Sequence, residues 1–233
     1  GVQSWVKSRD PVGPVIYAIG LTSDFRQRPY ETVEAHVSLL SQVLQRHGLE
    51  NILLLSSTRV YRRSSLSDET APLPCLSSDP DDLYNLSKLM GEALVLQDPR
   101  PNFRVVRLSN VVGEDQPVNT FIGSLLAEIK SKATVMIQQP ADTVKDYVAL
   151  DDVVRLLPFI ALQGKHRMYN LGSGVNKSHA DVATWLQKQG ACVRFASEET
   201  GGLSFPPLRV QRIFAEFDPP GDPFRQTLLK LKG

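Results

Sequence analysis

Cysteine, methionine and histidine are scarce in this chain of 233 residues, with 2, 3 and 4 copies. Cys75 and Cys192 stand far apart, which excludes the dense disulfide framework of a small secreted domain and reads as reduced, cytoplasmic thiols. The few histidines and cysteines fall at no spacing that a zinc site uses. Long apolar runs are missing too. The longest candidates, near Ile52–Leu55 and Val153–Leu162, are short or interrupted by Arg155 and Pro158, well under the ~18–20 residues that span a bilayer. No long apolar segment of the secretory type opens the sequence. There is no excess of one charge: 26 basic and 25 acidic residues leave a net +1, and the basic ones form no long run. Neither a nucleic-acid-binding face nor a membrane partner is therefore expected. What remains is a globular composition, 42% hydrophobic, in a chain long enough to bury a substantial core as one large domain or one with a small appendage.

The pattern of apolar residues then predicts elements. Pro14–Gly20 and Ile52–Ser57 read as short buried strands, and Phe103–Ser109 as a third. Between them, Tyr30–Gly48 has a helical stripe of Val33, Val37, Leu40 and Leu44, Ser64–Pro80 is a polar, proline-bearing loop, and Asp81–Leu96 is helical. This alternation predicts an α/β fold with a parallel sheet flanked by helices. Beyond Val118 the pattern loosens. Helices are expected at Phe121–Ile129 and Asp151–Leu162, and strands at Thr134–Ile137, Asp146–Ala149 and Met168–Leu171. Ser178 and Asp181 have the spacing of a capping box. The tail, Gly201–Gly233, is rich in proline and charge and is expected to wrap the surface.

One pair of residues points to chemistry. Tyr84 alone among the six tyrosines has a lysine, Lys88, four residues on. On a helix such a pair shares one face. An ammonium near a phenol favours the phenolate and draws its pKa down. Ser57, at the end of an apolar strand 27 residues before Tyr84, adds a hydroxyl able to hold the same substrate oxygen. Together they make a proton donor and acceptor for a carbonyl/alcohol pair, as hydride chemistry on a nicotinamide requires.

Six segments carry a resemblance: Val15–Gly20, Ser56–Tyr61, Tyr84–Lys88, Val106–Gly113, Asp146–Asp152 and Tyr169–Gly174. In this order they resemble the extended short-chain dehydrogenase/reductase superfamily, in particular its NAD-dependent epimerase/dehydratase branch acting on nucleotide sugars. The resemblance implies a partial Rossmann-like catalytic part over residues 1–113. It also implies a small C-terminal α/β substrate-binding region over 114–233, with segments returning to the first part. It makes Tyr84 the general acid/base, Lys88 the residue that lowers its pKa and holds the nicotinamide ribose, and Ser57 the residue that orients the substrate oxygen. Gly20 would lie against the cofactor, NAD or NADP. Asn110 and Lys145 would contact the phosphate region of the nucleotide sugar, Lys145 where many relatives carry arginine. His36 stands where relatives usually have asparagine and is read as structural. Members often pair through two helices, one bearing the Tyr–Lys motif, so a homodimer is implied.

Two departures matter. The Gly-x-x-Gly-x-x-Gly turn that cradles the cofactor pyrophosphate is not in the sequence, and Gly172-Ser-Gly174 does not replace it. The expectation is a fragment of a longer enzyme, with a protein that has lost its dinucleotide half, hence a non-catalytic binding module, as the alternative. Dehydratase relatives carry an Asp-Glu pair directly after the active hydroxyl. Here Thr58 and Arg59 stand there, which leaves epimerase or ketoreductase chemistry.

Overall fold

The computed structural model describes residues 2–21, 24–113, 116–131 and 134–224. A short helix α1 (Val2–Lys7) leads to strand β1 (Val15–Tyr17). Helix α2 (Pro29–Val33) starts on proline, whose fixed φ and missing N–H suit a first helical position. It continues through a π-turn (Glu34–Ser38) into α3 (Leu39–Leu44). Strand β2 (Ile52–Ser57) ends in a 3-10 turn (Thr58–Tyr61), capped by the Ser57 hydroxyl, which accepts from the Arg59 amide. Then come α4 (Asp82–Gln97), β3 (Phe103–Leu108) and β4 (Asn110–Val112). The second half holds α5 (Phe121–Ser131), β5 (Thr134–Ile137), β6 (Val144–Ala149), α6 (Leu150–Gln163) and β7 (Met168–Leu171). It closes with β8 (Asn176–Ser178), α7 (His179–Gln187), β9 (Cys192–Phe195) and α8 (Gln211–Phe214).

The main sheet is parallel throughout, in the order β1-β2-β3-β7. Both faces are covered, which is why its central strands read as nearly continuous apolar runs. On one face Leu53, Val106, Tyr169 and Leu171 pack against Leu156 and Ile160 of α6. On the other, Leu54 and Val105 meet Leu40 and Val43 of α3 and Val95 of α4. Each such side chain contributes roughly 1.5–3 kcal/mol on burial. A three-stranded sheet β4-β6-β8 and a pair β5-β9 stand beside it, with a further core of Leu125, Val135, Ile137, Tyr147 and Leu186.

The capping box at Ser178 and Asp181 forms, each side chain meeting the other's backbone amide. Strands β4, β8 and β9 went unread in the sequence, being only three or four residues long. One expectation is corrected: the tail does not merely wrap the surface. Leu208, Val210 and Ile213 are buried in the core beneath α6, and Phe224 in the second core. Isolated apolar residues between prolines have no period, so only their tertiary partners reveal them. Residues 225–233 lie outside the described residues.

A buried polar network crosses these layers. Arg107 of β3 donates to Glu92 of α4 at 2.7 Å and 3.0 Å, and Ser56 of β2 donates to the same carboxylate at 2.5 Å. Arg107 also donates to the Tyr61 hydroxyl at 2.8 Å, which donates to Asn170 of β7 at 2.8 Å. Removing one partner of a buried ion pair strands the other charge. Arg107→Met should therefore cost about 3–5 kcal/mol in urea denaturation. The double variant Arg107→Met/Glu92→Leu should recover much of it, because no charge is then left buried alone.

Candidate active site

Three consecutive hydroxyls end β2, and their partners separate them. Ser56 is committed to Glu92, and Thr58 reaches the Leu108 carbonyl at 3.5 Å. The Ser57 side chain accepts the Arg59 amide at 3.2 Å and faces the same cavity as Tyr84. The sequence expectation singled out this serine of the three. Tyr84 and Lys88 lie one turn apart on α4, and both line a cavity of about 470 Å³ with Ser57, Gly20 and Asn110. Phe121, Gln116 and Tyr147 close its far side.

The electrostatics differ from the simple expectation for a Tyr–Lys pair. Burial pushes the Tyr84 phenol above its ordinary value, opposed by the nearby Ser57 hydroxyl and Arg59 charge. Lys88 is not what draws it down. Its ammonium lies 5.8 Å from the Tyr84 ring centroid and donates to the Leu55 carbonyl at 3.1 Å. Burial pulls Lys88 down to about 8, against the opposing charge of Glu92. At that distance, and bonded to a backbone carbonyl, the ammonium has less to offer the phenolate.

Gly20 has a steric reason to be glycine. A Cβ there would stand 2.8 Å from His36 Nε2 and 3.3 Å from Lys88 Nζ. His36 lies in the π-turn and its ring meets Tyr84 edge-on at 5.3 Å. Its Nε2 accepts the Leu21 amide at 3.3 Å, so the network assigns the proton to Nδ1, which donates to Ser87 Oγ at 2.8 Å. Ser87 in turn donates to the Tyr84 carbonyl at 2.9 Å. His36 thus braces the turn that carries Tyr84, a structural part in line with the sequence reading.

Asn110 and Lys145 meet in a second cavity, of about 160 Å³, which shares Ser57 and Asn110 with the first. Asn110 donates to the Asp146 carbonyl at 2.9 Å. Lys145 is no solvated surface lysine. Its ammonium lies 5.4 Å from the Phe121 ring centroid, and burial, then Arg59, lowers its pKa. Sequence reasoning missed Asn176, Phe205 and Leu208 as cavity residues, because they come from distant segments and carry no local motif; Asp146 lay in a recognised segment but was given no role there. Among the described residues no group of His, Cys, Asp and Glu could hold a metal, and no helix is long and apolar enough to cross a membrane.

The parallel sheet, and the order of its segments, are those of an extended short-chain dehydrogenase/reductase fold. The chain belongs to the NAD dependent epimerase/dehydratase family, whose model matches residues 10–172. No curated protein matches it. Among solved structures it is similar to TunA, an NAD-dependent NDP-hexosamine 5,6-dehydratase involved in tunicamycin biosynthesis, with a TM-score of 0.82 at 18% identity over 99% of this chain and 78% of that one. It is also similar to a double mutant of DesIV, the dTDP-glucose 4,6-dehydratase of Streptomyces venezuelae, with NAD bound (0.81, 20%, 98% and 74%). A third is the UDP-glucuronic acid 4-epimerase of Bacillus cereus in complex with UDP-glucuronic acid and NAD (0.71, 19%, 93% and 76%). At these identities the likeness is one of fold.

The buried histidines set an acid limit. Burial, with Lys88 nearby, holds His36 down to about 3, and burial with Lys145 holds His179 down to about 4. An unfolded imidazole takes up its proton near 6.5. Below that pH the unfolded chain binds more protons than the folded one, so stability is lost as pH falls from 6.5 toward 4. His36→Gln should lose stability less steeply over this window than the wild type, as read by urea midpoints. Equal slopes would mean that His36 does not stay neutral in the fold.

Proposed function

We propose that this chain carries the catalytic centre of an NAD(P)-dependent epimerase or ketoreductase that acts on a secondary alcohol of a nucleotide-linked sugar. The observation that carries the reading is the convergence of Ser57, Tyr84 and Lys88 on one cavity beside Gly20. Residues from three separate segments would have no reason to meet there if each served only its own element. The nucleotide-sugar complexes among the similar structures support the substrate class, and those with NAD or NADPH bound support the cofactor.

The residues present suit the nicotinamide end of such a cofactor. Gly20 leaves a floor without a side chain, and Lys88 and Tyr84 offer polar groups beside it for the ribose. The pyrophosphate turn is not among the residues of this chain. A nicotinamide bound here supplies the acceptor and donor of the hydride. Tyr84 Oη takes the proton of the sugar hydroxyl as its carbon is oxidised, and returns it when the carbonyl is reduced. Ser57 holds the same substrate oxygen, and its hydroxyl opposes the rise that burial imposes on the phenol. Lys88, with a pKa of about 8, can carry its charge near neutral pH. Lys145 pairs with phosphate as a point charge, and Asn110 lines the same approach. Thr58 and Arg59 cannot serve as the carboxylate acid and base of an elimination, which favours epimerase or ketoreductase over dehydratase chemistry.

In this reading residues 114–233 form the substrate-binding region and the protein is cytoplasmic. It would work as a homodimer through α4, whose Leu86 and Met90 are exposed. Tyr84→Phe should lower turnover roughly 10²–10⁴-fold, measured as nicotinamide reduction or as epimerised product, with nucleotide-sugar binding kept. Retained turnover would remove Tyr84 from the chemistry.

A further inference from the structure

Arg59 neither takes nor gives a proton in the chemistry above, yet it sits beside it and its charge acts on the Tyr84 phenol. It follows Ser57 by two residues, and its guanidinium lies 5.3 Å from the Phe25 ring centroid and 5.9 Å from that of Tyr84. Nε and Nη2 are buried without a hydrogen-bond partner, which is rare for buried polar groups. Asp81 approaches Nη2 at 3.4 Å, but Asp81 also pairs with Arg26 and Arg62. In this cluster Arg26, Arg59, Arg62 and Arg63 face Asp79, Asp81 and Asp82, so one positive charge is left over.

The cavity beyond Arg59 tells the same story independently. Its charged lining residues are Arg59, Lys145 and Asp146. Asp146 is already occupied, accepting from Ser109 Oγ at 2.7 Å, Ser173 N at 3.0 Å and Ser173 Oγ at 2.9 Å. Burial and then Arg59 lower the pKa of Lys145, as expected of two cations that share one cavity.

We propose that Arg59 binds a carboxylate carried by the sugar itself, so that the substrates of this site are nucleotide-linked hexuronic acids. The inference rests on the nucleotide-sugar reading above and narrows it. Position argues for the sugar over the diphosphate. Arg59 and Ser57 line the smaller cavity together, and Ser57 also lines the cavity of Tyr84, so a group bound to Arg59 lies beside the oxygen that Ser57 holds. A carboxylate on a neighbouring ring carbon meets that condition, and Lys145 in the same cavity is left for the diphosphate. Chemistry agrees: the planar guanidinium matches the two oxygens of a carboxylate, while an ammonium acts as a point charge. A dehydratase-like carboxylate at this position would repel such a substrate, and Arg59 attracts it.

The test is calorimetric titration of the chain with glucuronate and glucose, each as its UDP and its dTDP derivative. The wild type should bind the glucuronate form roughly 10- to 100-fold more tightly than the glucose form, the range of a charge-assisted hydrogen bond. Arg59→Gln should erase that preference while leaving the glucose form bound as before, which also reports an intact fold. Arg59→Lys, with the charge but not the fork, should keep part of it. Lys145→Met should weaken both forms by the same factor. Equal affinity of the wild type for both sugars, or an Arg59→Gln loss shared by both, would overturn the carboxylate assignment while leaving the nucleotide-sugar reading in place. Failure of every nucleotide sugar to bind the wild type would overturn both.

Discussion

The buried ion pair between Arg107 and Glu92 is the constraint on which the rest of the molecule hangs. Glu92 follows Lys88 by one helical turn, so fixing its carboxylate against β3 also fixes the face of α4 that presents Tyr84 and Lys88. Ser56 and Tyr61 join the pair from β2 and the turn after it, and Asn170 joins from β7. The helix therefore cannot slide or rotate on the sheet without breaking a charge pair in the core, where a lone charge is costly. Apolar packing alone would tolerate small shifts of register. A network of directional bonds does not, and a site that must hold three side chains around one oxygen needs that discipline.

Burial then sets the ionisation of everything near the site. The same desolvation raises Tyr84, brings Lys88 to about 8 and keeps His36 neutral. The expected partnership, lysine lowering tyrosine, gives way to one in which Ser57 and Arg59 act on the phenol while Lys88 is held by a backbone carbonyl and Glu92. The neutral His36 supports the turn under Tyr84 through Ser87 without adding a third cation.

Charge is unevenly spread around the two cavities. The cavity with Gly20, Tyr84 and Lys88 is largely apolar around a few polar groups, as small-molecule sites generally are. The adjoining one holds Arg59 and Lys145 beside a carboxylate already bound by serines. Such a pair of compartments suits a substrate with a neutral ring and anionic ends, and the burial of the cations makes each end count for more than it would at a surface.

The sequence by itself determined the alternation of strands and helices, the parallel sheet and the spacing that sets Tyr84 and Lys88 on one helix face, and it pointed to Ser57 at a strand end. These are local facts: strand runs, helical spacing and a hydroxyl at a strand end are written in neighbouring residues. It also showed that no carboxylate follows Ser57. Only the tertiary structure decided what Arg59 touches, that Lys145 lines a cavity beside it, and that the tail contributes Leu208, Val210 and Ile213 to the core. The direction of the Tyr84 shift belongs to the same group. Each of these depends on groups brought together from far along the chain, and desolvation, which governs them, has no signature in the spacing of residues.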